Sequence, residues 1–264
     1  MSKEDNFDFN TKKILGLIDG IDIVNKFGVS NDVDTGDSNR DIWDRSHNLN
    51  YLTTATKLYL TSDNSNDNQQ ILIVCMNEDG IYETFKINLQ GYTEINIGND
   101  ALFLNCIRIF NNDTTKTVGN VYVSTGNTLN GIPPDNNIQA WFSIISQQTL
   151  MTHFRIPSNY YGLLKVINIA IKNEKNILET NADIKLFMRD FGKTWLNKGN
   201  IALSSRGSSF QTIVSTGGRF LNSMSDIKFT VEGVGRNDTK ITCNYTIELY
   251  RKDIMNIPIQ LIKD

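Results

Sequence analysis

The chain has 264 residues, of which 39% are hydrophobic and 21% are charged, and its net charge is −3 at pH 7 with a pI near 5.5. A chain of this size can bury a sizeable core, in one large or two smaller domains. The mildly acidic balance offers no basic surface to nucleic acid, and no stretch approaches the ~18 apolar residues of a transmembrane helix, so we expect neither nucleic acid nor a membrane as a partner.

The first 50 residues are predicted to form an N-terminal arm followed by an Asp-rich loop. Apolar residues recur in the arm at helical spacing, while Gly16 and Gly20 disfavour a continuous helix by about 1 kcal/mol each relative to Ala. We therefore expect an extended or short-helical arm that packs on its own body or on a neighbouring subunit. The residues assigned to this assembly role are Ile14, Leu17, Ile18, Ile21 and Val24.

The Asp-rich loop, residues 27–44, raises the question of a calcium site. An EF-hand counted from Asp32 has Gly36 at the fifth position instead of the sixth, and Trp43 at the twelfth, where a bidentate Glu is needed. The EF-hand pattern therefore fails. A looser calcium site stays open as an alternative, because hard cations accept irregular oxygen shells. Its ligands would be Asp32, Asp34 and Asp37.

We favour a structural loop that holds no metal and no cofactor. Asp, Asn, Ser and Gly form turns without an ion, because their side chains bond to nearby backbone groups. On this interpretation, four loop residues cap backbone groups and hold Trp43 against apolar neighbours. The four residues are Asp34, Thr35, Asp41 and Asp44.

Short strand patterns follow between residues 51 and 131, which we assign to a first antiparallel β-sandwich region. Some of these segments alternate between apolar and polar residues, as strands with one solvated face do. Asn77-Glu78-Asp79-Gly80 separates two of them as a hairpin loop. The predicted strands are 56–61, 71–76, 81–89, 101–110 and 120–124.

Pro133 and Pro134 mark the predicted boundary, because paired prolines stop both helix and sheet. A second β-sandwich region is assigned to 138–253 and a C-terminal tail to 254–264. Strands without alternating helices favour antiparallel sheets, so the expected fold is all-β, with two jelly-roll-like sandwiches behind the arm. The predicted strands are 138–145, 152–156, 163–171, 183–189, 209–214, 227–232 and 240–251, with turns that include 204–208 and 217–218.

Residues suited to catalysis are scarce. The two histidines, His47 and His153, lack the spacing to further ligands that a metal site needs. The sequence contains no Gly-x-Ser-x-Gly elbow, no phosphate loop and no Gly-x-Gly-x-x-Gly turn. Two of the 29 acidic residues would suffice for a glycosidase, but nothing singles out such a pair. We therefore expect a protein that is not an enzyme.

The cysteines indicate a reducing environment. Cys75, Cys106 and Cys243 are dispersed and odd in number, which disfavours both a disulfide framework and a zinc site. The first residues lack the basic segment and apolar run of a secretory signal. We expect buried free thiols in a protein made in the cytoplasm.

The aromatic residues offer a binding alternative. A sugar-stacking platform on a β-sandwich would use exposed rings, as a carbohydrate-binding module does. Aromatic residues of sandwiches more often belong to the core, and we favour that interpretation. The rings concerned are Trp43, Trp141, Trp195, Tyr160 and Tyr161.

Several short motifs resemble a group of virion structural proteins from tailed phages. The segment from Asp34-Thr35-Gly36 to Ile42-Trp43-Asp44 is similar to that group's "Asp-x-Asp-Thr-Gly … Ile-Trp-Asp" opening, which precedes a Thr-rich β-domain. Residues 186–195 resemble its "Leu-x-x-Arg-x-Phe-Gly-Gly-x-Trp" strand and turn, although Lys193 replaces the second Gly. Further matches in the same order are 207–211, 219–220 and 226–227, whereas Arg45-Ser46 stand where Gly-Gly often follows.

The resemblance implies a particle component without catalytic residues. Such a protein would form a symmetric homo-oligomer on the capsid or in the collar and tail region, with capsid, portal or tail proteins as further partners. Its location would be the virion, assembled in the host cytoplasm. The Asn- and Ile-rich composition is typical of an AT-rich genome and suits a phage of the crAss-like group. A carbohydrate-binding module of a phage fibre is the alternative function.

Overall fold

The structure, a computed structural model, describes residues 8–45, 47–110, 115–173, 179–206 and 208–254. Within these ranges the chain is all-β and antiparallel, apart from helix α1 (Phe9–Ile14) and one 3-10 turn (Asp135–Asn137). The strands are β1 (Ile21–Val33), β2 (Arg40–Asp41), β3 (Tyr59–Ser62), β4 (Gln70–Met76), β5 (Tyr82–Asn88), β6 (Ile95–Asn96), β7 (Phe103–Ile109), β8 (Val121–Ser124), β9 (Ile138–Phe142), β10 (Phe154–Arg155), β11 (Tyr160–Asn173), β12 (Glu179–Arg189), β13 (Leu196–Arg206), β14 (Ser208–Leu221), β15 (Asp226–Val234) and β16 (Thr239–Arg251).

These strands form four antiparallel sheets. The first sheet has the order β1-β16-β11-β14, and the second has the order β10-β15-β12-β13 with β2 paired to β15. The third sheet has the order β6-β3-β8-β9, and the fourth has the order β5-β4-β7. The predicted all-β, antiparallel class is therefore confirmed.

The first and second sheets share one buried apolar cluster, and we call this pair body I. Strand β12 illustrates how the sequence produces the cluster. Buried Ala182, Ile184 and Leu186 alternate along it with more exposed residues, so that one face of the pleat enters the core. Ile169 and Ile247 reach the same cluster from the first sheet.

The third and fourth sheets share a second cluster, and we call this pair body II. Leu60 and Val123 enter the cluster from the third sheet, and Ile73 and Ile107 from the fourth. A third, smaller cluster lies where the two bodies meet, and Trp43 is its largest residue. The molecule therefore has two cores joined by a junction that is itself buried.

The last residues of the predicted arm, 21–26, are part of a strand that packs on the chain's own body. Residues 21–33 form strand β1, which pairs with β16 from Ile21 opposite Tyr250 to Val33 opposite Thr239. Gly28 is needed in this strand, because a Cβ there would lie 2.7 Å from the Ile42 carbonyl oxygen and 2.8 Å from the Thr152 amide nitrogen. The long-range partner, which local spacing does not reveal, turns this apolar segment into sheet.

The predicted boundary after residue 131 is also wrong. Strand β9 follows the two prolines but pairs with β8, so residues 138–142 belong to body II. Body I contains β1, β2 and β10–β16, and the strands of body II lie between β2 and β10 in sequence. Of the predicted tail, only Ile254 lies within the described residues.

Two predicted turns in the second half also need correction. The segment assigned as a turn at 204–208 is mostly strand, since β13 runs to Arg206 and β14 begins at Ser208. The Gly217-Gly218 pair lies inside β14. The register of β11 against β14 shifts between Leu164 and Val166, and the positive φ of 69° at Gly218 suits such an irregularity.

Candidate functional site

The junction between the bodies contains a buried charge network centred on Asp226, the first residue of β15. The Arg155 guanidinium donates from Nε to Asp226 Oδ1 at 2.6 Å and from Nη2 to Oδ2 at 3.2 Å. Arg189 donates from Nε to Oδ2 at 2.8 Å. Both Arg155 and Asp226 are fully buried. Such paired, charge-assisted bonds are what keep an ionised carboxylate tolerable in the interior.

Arg155 also connects the two bodies directly. Its Nη1 donates to the carbonyl oxygen of Leu102, just before β7 of body II, at 2.9 Å. The Tyr82 hydroxyl, from β5, donates to the carbonyl oxygen of Arg155 at 2.8 Å. The guanidinium lies 5.3 Å from the ring centre of Phe103 and 4.6 Å from that of Phe191. The Arg155 side chain of body I is therefore held by a backbone carbonyl and one ring of body II, together with the Phe191 ring of body I.

Arg189 is held between two further rings. Its guanidinium carbon lies 4.7 Å from the ring centre of Tyr51 and 4.3 Å from that of Trp195. The Lys228 ammonium lies 5.0 Å from the same Trp195 ring. Contacts of this kind stabilise a cation by the quadrupole of the ring, and they fix the orientation of Arg189 toward Asp226.

Asp41 is the second buried carboxylate of the network. Strand β2 places it opposite Thr230 of β15, and its oxygens accept from Lys228 Nζ at 2.6 Å and from the Leu49 amide at 2.9 Å. His153 Nε2 lies 2.9 Å from Oδ2. Burial opposes ionisation of Asp41, but the hydrogen bonds and charge of His153 and Lys228 outweigh it and lower the pKa to about 2.

Burial lowers the pKa of His153 more than the neighbouring Asp41 raises it. The geometry then assigns the Nε2–H to the bond with Asp41. The other ring nitrogen, Nδ1, is buried without a hydrogen-bond partner in the described part of the chain. The ring packs edge-on against Trp43 and Tyr51, each with its ring centre 5.7 Å away.

Asp44 lies at the edge of the junction. Its Oδ1 accepts from Trp141 Nε1 at 2.9 Å, and its backbone amide donates to the carbonyl of Leu150 at 3.2 Å. Burial raises the pKa of this carboxyl to about 7, against the hydrogen bond from Trp141 and the charge of Arg45. The pKa values of Asp41 and Asp44 are thus shifted in opposite directions, although only two residues separate them.

The structure places the predicted loop residues at two separate positions. Asp41 and Trp43 lie in the junction, where the Trp43 indole N–H donates to the carbonyl of His47. Asp34 and Thr35 instead contact the turn between β15 and β16, since Thr35 donates to Asn237 Oδ1 at 2.9 Å and Asp34 Oδ1 accepts from the amide of Asp238.

Two of the three alternative metal ligands, Asp34 and Asp37, are hydrogen-bonded to the protein. Asp37 Oδ2 accepts from Arg40 Nη1 at 2.7 Å and from the Asp34 amide at 3.1 Å. Within the described residues, no group of three or more His, Cys, Asp or Glu side chains is placed to hold a metal ion. In the same part of the chain, no helix has the length and apolar character needed to cross a membrane.

The predicted arm residues do not share one surface. Ile14, at the end of α1, and Leu17 are exposed, whereas Ile18 is half-buried. Ile21 is buried in β1, and Val24 packs partly against the core of body I. The segment is tied to the sheet by the Lys13 ammonium, which lies 2.7 Å from Glu248 Oε1.

The aromatic residues do not form one platform, because each ring packs elsewhere. Trp43 is buried, Trp141 stacks on Tyr122, and Trp195 packs edge-on against Tyr51. The remaining two lie near the end of body I, where the Tyr160 hydroxyl donates to Asp22 and Tyr161 packs against Phe220.

Sequence reasoning missed most of the network. Arg155 and Lys228 fall inside predicted strands and Asp226 inside a matched motif, and the sequence assigns none of them a partner. His153 is expected to be a surface or packing residue instead of a ligand or base. The available signal was the presence of charged residues inside short apolar strand patterns, since such residues are rarely buried unless they are paired. That signal does not reveal which residues pair.

Comparisons with known proteins give no family. No protein family and no curated protein matches the sequence. Similar solved structures include a carbohydrate-binding module from glycoside hydrolase family 9 of Ruminococcus flavefaciens FD-1, with a TM-score of 0.24, 18% identity, and coverage of 38% of this chain and 81% of that one.

Two viral structures are also similar at a low level. The Cowpea mosaic virus top component has a TM-score of 0.23 and 8% identity over 78% of this chain and 86% of that one. The infectious bursal disease virus Gx strain has a TM-score of 0.21 and 7% identity over 88% and 77% of the two chains. All three TM-scores lie below 0.5, and these likenesses carry no conclusion about the chain.

Proposed function

We propose that the chain is a non-enzymatic structural subunit of a tailed-phage particle. It assembles as a symmetric homo-oligomer on the capsid or in the collar and tail region, and its further partners are capsid, portal or tail proteins. Its location is the virion, after synthesis in the host cytoplasm. We propose further that bodies I and II are β-sandwiches, since each consists of two sheets with a common core.

One observation carries the proposal: residues of both halves of the phage-like motifs meet in the junction. Asp41 and Trp43 come from the first motif, and Arg189, Trp195 and Asp226 from those of the second half. In the fold they form one charge and aromatic network between the two bodies. The residues that carry the resemblance therefore share one structural role, which is to hold the two bodies in one orientation.

The enclosure of the network supports a structural role over a catalytic one. The two carboxylates at its centre are fully buried; Asp226 is bonded by Arg155 and Arg189, and Asp41 by Lys228, His153 and the Leu49 amide. A general acid or base has to come within hydrogen-bond reach of a substrate. The Asp41 and His153 side chains, whose pKa values are both lowered, instead face one another.

An apolar surface on body II supports oligomer formation. Val118, Ile144 and Ile145 are exposed by 67%, 47% and 87%. The two loops that carry them are joined by hydrogen bonds, from the Ile144 amide to Asn120 Oδ1 and from the Thr117 amide to Gln147 Oε1. We assign this surface, which we call the 118/145 patch, to a contact with a second copy of the chain, because exposed apolar clusters commonly mark such interfaces.

The test is the stoichiometry of the purified chain and its presence in particles. Light scattering coupled to size exclusion should give a discrete oligomer, with an interface above roughly 1,000 Å², and mass spectrometry should find the chain in purified phage particles. Ile145→Asp should shift the oligomer to monomer. Leu129→Asp, a matched change at an exposed apolar residue in another loop, should leave the oligomer intact.

A strictly monomeric chain that is absent from particles would contradict the proposal. Cleavage of a capsular polysaccharide by the purified chain would contradict its non-enzymatic part. If both variants remain oligomeric, the oligomer uses another surface and the assignment of the 118/145 patch is wrong.

A further inference from the structure

A groove of about 400 Å³ opens at one end of body I, away from the 118/145 patch in sequence and sheet. Its walls are the end of β12 and the start of β13 on one side and the end of β14 on the other. The residues that matter for its chemistry are Arg189, Asp190, Leu196, Lys198, Arg219 and Asn222. The volume suits one or two sugar rings, since small-molecule sites start at about 300 Å³.

Two cations of this groove are not used by the fold. Lys198 and Arg219 are exposed, and neither forms an ion pair with any residue that the structure describes. The Arg219 guanidinium lies across Gly199 of β13, with Nη2 3.2 Å from where a Cβ would stand. A larger residue at 199 would displace it. The groove thus has a planar donor fork and an ammonium available for an anion.

The same groove also contains a negatively charged side chain. The Asp190 carboxylate accepts from the Ser225 hydroxyl at 3.0 Å and from Asn222 Nδ2 at 3.4 Å through one oxygen, Oδ1. Its other oxygen has no hydrogen bond from any described residue. A carboxylate held in this way by two donors is an oriented acceptor, suited to the hydroxyl groups of a ligand.

An apolar wall completes the groove. Leu196, at the start of β13, lines the groove and is exposed by 54%. Its side chain offers contact to the C–H face of a sugar ring.

We infer that this groove binds an acidic sugar of the uronic acid class. Arg219 and Lys198 take the carboxylate of the sugar, because guanidinium groups bind carboxylates bidentately. Asp190 and Asn222 take its hydroxyls, and Leu196 packs against the ring. Inorganic phosphate fits less well, because its second negative charge meets Asp190 and it has no apolar face to bury. The site is independent of the proposed oligomer, whose surface lies on body II.

The test is a titration of the full chain with glucuronic acid, glucose and inorganic phosphate, followed by NMR or calorimetry. Glucuronic acid should bind most tightly of the three. Arg219→Ala should weaken it by roughly tenfold or more, the usual range for losing a charge-assisted contact, and Lys198→Ala by less. Lys116→Ala removes an exposed charge on body II and should leave binding unchanged.

Asp190→Asn separates a sugar site from a simple anion site. The change should weaken glucuronic acid and strengthen phosphate, since it removes both an acceptor for hydroxyls and a repelling charge. Phosphate binding as tight as that of glucuronic acid would overturn the inference. So would glucuronic acid binding that Arg219→Ala leaves unchanged, or no saturable binding of any sugar.

Discussion

We expect substitution of Asp226 to lower the free energy of unfolding most strongly. Asp226→Asn keeps the size of the side chain but leaves the Arg155 and Arg189 guanidiniums without their shared counter-charge. Breaking one partner of a buried ion pair costs about 3–5 kcal/mol, and we expect that loss in the free energy of unfolding from urea titrations. Asp183→Asn, at an exposed position of β12, is the control and should stay within about 0.5 kcal/mol of wild type. Equal effects of the two changes would show that the network is not buried as described.

Asp44 predicts a dependence of stability on pH. Its carboxyl has a pKa of about 7 in the fold, against 3.8 when free. The folded state therefore holds the proton more tightly than the unfolded chain does. This stabilisation is fully present below pH 3.8 and is lost as pH rises to about 7, on the order of 4 kcal/mol in all.

Asp44→Asn replaces the carboxyl by a neutral group that still accepts from Trp141. The free energy of unfolding of the variant should rise relative to that of wild type between pH 4 and 7, and the difference should become constant above pH 7. His153 and Asp41, whose pKa values are lowered, contribute stability that is lost as pH falls, below their free values of 6.5 and 3.8. Both residues contribute equally to the variant and to wild type, so their contributions cancel in the difference between the two free energies of unfolding. A difference that does not change with pH would contradict the raised pKa.

At the scale of elements, the N-terminal segment divides into a dispensable and an essential part. Deleting residues 1–20 removes α1, whose Ile14 is exposed, and one tie to Glu248, and the protein should stay folded with a similar Tm. Deleting residues 1–26 also removes half of β1, including buried Ile21 and the Lys26 amine that donates to Asn105, and should lower the Tm sharply. Thermal unfolding followed by circular dichroism distinguishes the two. Equal Tm values for both deletions would mean that β1 adds little.

The strands that sequence predicted and missed differ in a physical way. Residues 71–76 and 81–89 were predicted because apolar runs and a hairpin loop are local signals, and β4 and β5 pair there in the structure. Strand β1 was missed, since its partner β16 lies over 200 residues away and the spacing of its apolar residues also fits a helix. Strand β13 was missed because its Asn, Gly and Ser residues are typical of turns. Sheet order depends on such distant pairings and has no local pattern.

At the scale of the molecule, the junction predicts cooperative unfolding. Arg155, Tyr82 and the cluster around Trp43 couple the cores of bodies I and II. Urea unfolding followed by far-UV circular dichroism and by tryptophan fluorescence should therefore give one coincident transition, as for a two-state protein. Two separated transitions would show that the bodies unfold independently and that the network only touches both.

Only the part of the candidate site that lies in residues 41–44 could be predicted from the sequence. Asp41, Trp43 and Asp44 were expected to act structurally within one loop, and the loop does place Trp43 among apolar residues. Their partners Lys228, His153 and Trp141 come from strands brought close by the fold. An ion pair between distant residues leaves no spacing in the sequence, so that charge alone could not identify it.

The strands of body II are inserted in the sequence between those of body I, and this order affects synthesis on the ribosome. All strands of body II have emerged soon after residue 142, whereas β1 has to wait for β16, which begins at residue 239. At about 5–20 residues per second, β1 stays without its partner for roughly 10–40 seconds. For about the last 5–20 seconds of that time, after residue 142 and before residue 239, a finished body II is tethered to an unpaired apolar strand. A co-translational chaperone that binds extended apolar segments would find its target in β1, and slower translation of the last third of the message should raise misfolding rather than relieve it.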